Sequence, residues 1–341
     1  MRPLSKITVL LIACLFAMLI PAPVASAARR DPVADARRRV EAAKRDANAA
    51  AARYNRTRGA YERLGDEVVR LTRDLETTEA RIADLRAAAA ERAVAAYKGR
   101  SLGVLDAFSD EDAMDAARRS SFLAKVNAND AALLGELRVT ASDLRERKDT
   151  LAERRAEQKS VLQALGREQR ALQAKLDVAA RAQRVLEEQI NAQRRSRRGG
   201  GISNDTIVNP GGGAFVCPIR GPVAFSNDWG NPRSGGRRHQ GTDLMSPRGT
   251  PNVAVVSGST TARSGGLGGT SLWLRGDNGT TYYYAHLDEI RAPAGRVSQG
   301  QVIGTTGNTG NARGGPYHTH FEIHPGGGGA INPYPTIKAY C

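Results

Sequence analysis

Apolar positions recur with two different periods along the chain. Leu64, Val68, Leu71, Leu75, Thr78, Ile82, Leu85 and Ala89 alternate in steps of four and three. A second seam runs through Leu134, Leu137, Ala141, Leu144, Leu151, Leu162, Leu165, Leu172, Leu176, Leu186 and Ile190, with polar interruptions at Lys148, Arg155, Gln158, Gln169 and Gln183. A narrow apolar seam flanked by charge is a coiled-coil pattern, and such a seam needs a partner helix. Gly99-Arg100-Ser101-Leu102-Gly103 and the helix-start signal Ser109-Asp110 break the repeat. Residues 28–198 therefore predict an antiparallel hairpin, with one arm over 35–98, a tip near 99–118 and a return arm over 120–197. Arms of this size reach on the order of 100 Å.

Residues 199–213 are Gly-rich and follow a run of arginines, as expected of a flexible linker. Beyond them the period falls to two. Short β-type runs at 223–226, 253–256, 271–274, 281–286 and 302–303 are separated by turn signals, and Asp277-Asn278-Gly279 marks a hairpin. The predicted fold class is a multidomain chain: a long α-helical coiled-coil hairpin followed by a compact antiparallel β-sheet domain over 214–341. Residues 317–324 alternate as a strand, which places His318 and His320 on one face as half of a metal site.

The N-terminus narrows the setting. Arg2 and Lys6 precede an apolar run over 7–20, and Ala25-Ser26-Ala27 is a small-residue cleavage site. Residues 1–27 thus read as a secretory signal peptide. Cys14 sits in a lipoprotein-like context, but the residues after it stay apolar, which favours the soluble exported form. The net charge of +15 calls for tolerance of anionic partners. In an exported protein these are an anionic membrane surface or an acidic wall polymer, with no nucleic acid. Once the leader is removed, Cys217 and Cys341 remain, and in an oxidising compartment they are expected to pair.

All five histidines lie at or beyond His239. His239 and Asp243, His286 after three tyrosines, the Gly304–Gly310 stretch, His318-Thr319-His320-Phe321-Glu322-Ile323 and Asn332-Pro333 together resemble the LytM/lysostaphin-type zinc metallopeptidases over roughly 215–335. The resemblance implies an endopeptidase acting on peptide bonds of peptidoglycan, in wall remodelling or cell separation. It implies Zn2+ held by His239, Asp243 and His320, with His286 and His318 as the catalytic pair. Three protein ligands and an open position suit a catalytic zinc, which brings the pKa of bound water from about 15.7 toward about 7. His324 matches no motif position and is expected to be structural or substrate-facing. The family's run before the first ligand is replaced by Phe225-Ser226-Asn227-Asp228-Trp229-Gly230, so an oxyanion-binding tyrosine is not assigned.

The hairpin-plus-peptidase layout is also similar to envelope cell-division hydrolases and their regulators. That likeness implies a membrane cell-division transporter complex as partner at the tip, with the hairpin restraining the site until the tip is engaged. The alternative reading is a non-catalytic activator of a cell-wall amidase. Such regulators usually lose zinc ligands, whereas every motif residue is present here.

Overall fold

The heptad seams close on each other in two long helices of the computed structural model, which describes residues 31–101, 113–198 and 215–341. The expected signal peptide, most of the expected tip and the linker lie outside the described residues. Helix α1 spans Pro32–Ser101 and α2 spans Ala113–Arg198. At about 1.5 Å per residue they extend for on the order of 100 Å or more. The second helix starts ahead of the expected return arm because Ala113-Met114-Asp115-Ala116-Ala117-Arg118 is rich in strong helix formers.

Cross-helix ion pairs show the antiparallel register. Partners descend α2 as they ascend α1: Asp46 with Lys175 at 2.8 Å, Arg53 with Glu168 at 3.2 Å, Glu67 with Arg154 at 3.0 Å and Glu79 with Lys148 at 2.8 Å. These pairs are largely exposed and contribute about 0–1 kcal/mol each, so they fix register more than stability. Burial comes from the seam, where Leu64, Ile82, Leu85, Leu151, Leu172 and Leu176 are buried. Leu134 and Leu162, expected in the seam, are each 50% exposed. At the base the leucines of α1 give way to Ala47, Ala50 and Ala51, which let α1 approach both α2 and the β domain closely. With Tyr54, Leu172 and Leu176 they form one apolar cluster with Ala224 and Met245 of the β domain.

The β domain is built on a six-stranded antiparallel sheet. In it β11 (His318–Pro325) lies between the edge strand β3 (Thr242–Met245) and β7 (Thr280–Ala285); β6 (Ser271–Gly276), β5 (Gly258–Arg263) and β9 (Ala294–Val297) continue it to the other edge. A three-stranded sheet of β4 (Pro251–Val253), β10 (Val302–Thr306) and β8 (Leu287–Ile290) covers one face. Short β1 (Pro232–Arg233) and β2 (Arg237–Arg238) precede the main sheet, and α3 (Tyr334–Tyr340) ends the chain. Gly279 takes φ of 77° in the predicted β6–β7 turn, a conformation that suits glycine.

The two faces of the central sheet do different work. Leu244, Leu272, Leu274, Tyr282, Tyr284, Phe321 and Ile323 share one face and pack into the core with Val255, Ile303 and Ile337. Tyr284 is fully buried, and its hydroxyl donates to Val253 O at 3.0 Å while accepting from Val255 N at 3.2 Å. The other face carries Asp243, His318, His320 and Glu322.

Cys217 and Cys341 form a disulfide with a Cα separation of 5.0 Å, as the sequence predicts. It ties the end of α3 to the segment that opens the β domain, and Lys44 of α1 donates to Cys341 O at 2.6 Å beside it. Removing a native disulfide commonly costs about 2–5 kcal/mol. Cys341→Ser is expected to lose stability on that scale, read as a lower urea midpoint against the oxidised parent; an unchanged midpoint would show that the bond contributes nothing.

Candidate metal centre

Strand register brings the site together. In the β3–β11 ladder Asp243 stands opposite His320, and in the β11–β7 ladder His320 stands opposite Ala285, the residue before His286. His239 directly follows β2. Gly241, between His239 and Asp243, has a steric reason to be glycine: a Cβ there would lie 2.6 Å from Cε1 of the His320 ring.

His239 Nε2 lies 3.0 Å from Asp243 Oδ1 and 2.8 Å from His320 Nδ1, and His320 Nδ1 lies 3.1 Å from Asp243 Oδ1. Three donor atoms thus converge on one point. The far side of each ring explains why. His239 Nδ1 meets the Asp228 carbonyl at 3.0 Å, and His320 Nε2 meets Glu322 Oε1 at 2.8 Å. Each outer nitrogen donates, so in the neutral ring each inner nitrogen keeps a lone pair for a cation. Two imidazole lone pairs and a carboxylate oxygen facing each other favour a cation between them, so this donor set fits a metal such as zinc.

The two remaining histidines follow the same logic. His286 Nδ1 donates to Thr309 O at 2.9 Å, and His318 Nδ1 donates to Pro316 O at 2.9 Å. Their ring centroids are 5.0 Å apart, and both rings line the same cavity as the three convergent donors. His286 has φ of 62°, an uncommon conformation for a residue with a side chain. Its N–H donates to Gly268 O at 2.9 Å, which helps to hold it there.

Charge is distributed unevenly over the site. Burial, helped by His318 and His320, pushes His286 down to about 3, and burial pushes His318 down to about 4 against the attraction of Asp243. Both rings are therefore neutral at pH 7. For His239 burial acts downward too, but Asp243 and Asp228 outweigh it and raise it to about 9 in the protein alone. The carboxylates thus favour positive charge where the donors converge. Burial works against the Asp243 carboxylate, yet His239 and His318 hold its pKa well below the usual range.

The structure therefore brings His239, Asp243, His286, His318 and His320 to one cavity, while Cys217 and Cys341 do not line it. Four contributors were not assigned from sequence. Asp228 is the outer partner of His239, and Glu322 that of His320. Arg233 Nη2 contacts Asp243 Oδ2 at 3.0 Å, and Arg58 Nη1 of α1 contacts the same oxygen at 3.2 Å. Glu322 had a signal, since period two puts it on the His320 face. Arg58 had none, because nothing local links a residue of a coiled coil to a site 185 positions away.

A family model described as Peptidase family M23 matches residues 237–333. The L-Ala–D-Glu endopeptidase of Bacillus subtilis (strain 168) is 31% identical over 147 residues, covering 39% of this chain and 45% of that protein. The peptidoglycan DD-endopeptidase ShyC of Vibrio cholerae is 37% identical over 89 residues, covering 26% of this chain and 20% of that protein. The chain thus spans less than half the length of either relative. Among solved structures, the catalytic domain of the prophage-encoded M23 protein EnpA from Enterococcus faecalis is 30% identical, covering 36% of this chain and 97% of that one with a TM-score of 0.31.

Proposed function

We propose that residues 237–333, which match the family model described as Peptidase family M23, make the chain a secreted zinc endopeptidase cutting peptide bonds in peptidoglycan. The observation that carries this reading is the convergence of His239 Nε2, Asp243 Oδ1 and His320 Nδ1 within 2.8–3.1 Å, beside two neutral histidines. When bound by these three residues, zinc supplies Lewis acidity and activates water at neutral pH.

The chain's own residues account for the proton. His286 and His318 line the cavity, and because each Nδ1 is committed to a backbone carbonyl, Nε2 is the acceptor left on each ring. Either ring can accept the proton of the attacking water. Burial that disfavours the imidazolium then makes it a ready donor to the departing amine. Arg237 and Arg238 are exposed on the same cavity. Their charge suits the carboxylate-rich stem peptides of a cell wall. The names of the two relatives support that substrate class, and the complete donor set argues against a non-catalytic amidase activator.

Export through the leader at 1–27 and action at the cell envelope complete the reading. The restraint expected of the hairpin has support in one contact: Arg58 of α1 lines the cavity and touches Asp243, while Tyr54 lines a neighbouring cavity beside His318. In this reading a membrane cell-division transporter complex relieves the restraint by engaging the tip.

Two sets of variants test these assignments. His320→Ala is expected to lose both zinc and activity. His318→Ala and His286→Ala should keep near-stoichiometric zinc and lose about 100- to 10,000-fold in rate on purified peptidoglycan, followed by mass spectrometry of the fragments. Loss of zinc from His318→Ala as readily as from His320→Ala would reject the division of roles. Ala51→Glu places a charge in the fully buried contact between α1 and its neighbours. It should raise the digestion rate of the full chain if the hairpin restrains the site, with helix content checked by circular dichroism; an unchanged or lower rate rejects restraint.

A further inference from the structure

Strand β11 continues past the metal-binding positions into Glu322, the outer partner of His320, and on to His324, which has no assigned role. Glu322 spans two histidines: Oε1 lies 2.8 Å from His320 Nε2, and Oε2 lies 2.7 Å from His324 Nε2. His324 Nδ1 in turn meets Gly328 O at 2.8 Å, and its ring packs on Trp273 with centroids 5.2 Å apart. His324 thus lies between two acceptors, Glu322 Oε2 on one side and the Gly328 carbonyl on the other. The side chains of Glu322 and His324 are each only 13% exposed. A carboxylate held this way has little freedom to swing into solvent and leave His320.

We propose that Glu322 and His324 are positioning residues for His320, resting on the reading of His320 as a metal ligand. Glu322 takes the outer hydrogen of the His320 ring, fixes the tautomer and aims Nδ1 at the point where His239 and Asp243 converge. His324 acts through Glu322 alone, as a clamp anchored on the Gly328 carbonyl and braced by Trp273. Period two makes this economical, since residues 318, 320, 322 and 324 of one strand share a face. Such outer partners typically govern about 10- to 100-fold of metal affinity.

The test uses the full chain and reads zinc affinity by competition with a chromophoric chelator, together with the visible spectrum of the cobalt(II)-substituted protein. Glu322→Ala should weaken zinc binding by about 10- to 100-fold and alter the cobalt spectrum. Glu322→Gln keeps an acceptor for His320 and should lose less, which preserves the test if the alanine variant fails to fold by circular dichroism. His324→Phe keeps a ring on Trp273 without the donor and should lose a smaller factor. Combined with Glu322→Ala it should add nothing further. Wild-type zinc affinity in both Glu322 variants would overturn the proposal, as would full additivity of the two losses. If the unmodified chain binds no zinc, the metal-centre reading itself falls; if it does and Glu322→Ala matches it, only the positioning role falls.

Discussion

Period-two alternation along β3, β11 and β7 is the constraint from which the site follows. Phe321 and Ile323 enter the core from one face of β11, and His320 and Glu322 leave by the other. A slip of one residue would send the aromatic core into the cavity and bury charged groups in its place. The hydrophobic demand of the core therefore fixes the register of the ligands. Register alone is not sufficient, because an imidazole presents a lone pair only when its hydrogen is taken elsewhere. Asp228 O, Glu322, Thr309 O and Pro316 O take those hydrogens for the four histidines of the cavity.

Charge then decides how the centre is held. Asp243 is almost wholly buried, and a buried carboxylate without partners would be costly. Its Oδ1 faces the histidines, while Arg233 and Arg58 both approach Oδ2. Burial pushes Arg233 below its usual pKa, with Arg58 adding to the effect and Asp243 opposing it. Two guanidiniums on one oxygen repel each other, and the carboxylate between them offsets that repulsion. Strengthening this outer network draws electron density from Oδ1, so orientation of the ligand is gained at some expense of its basicity.

Much of this architecture was legible in the sequence because it is periodic or local. Four-three steps of leucine gave the hairpin, and the glycines of the β6–β7 turn and of the His239–Asp243 stretch have a purpose visible in place. The exposed Leu134 and Leu162 mark where a seam read residue by residue outruns the packing, since neighbouring positions share the stripe. Asp228 was passed over because a single carboxylate in a loop has no period. The contact of Arg58 with Asp243 depends on how two separately folded elements meet, and neither element's pattern encodes the other's position. The cysteines were legible for a different reason: the described residues hold only two, and composition leaves them a single pairing.

The meeting of hairpin and β domain has a further physical consequence. Asn55 and Arg58 lie one turn apart on α1 and so share a face. Asn55 Nδ2 contacts Asp228 Oδ2 at 3.3 Å, and Arg58 contacts Asp243. One helix face thus touches both the group that orients His239 and the carboxylate beside it. The apolar part of the contact, around Ala47, Ala50 and Ala51, carries no charge and brings the backbones close. Any displacement of α1 along or away from the sheet must then remove a guanidinium and an amide from two buried carboxylates at once. The lost partners would raise the cost of the carboxylate charges and increase their demand for another cation. Through that coupling the position of a helix on the order of 100 Å long bears on the electrostatics of a site only a few ångströms across.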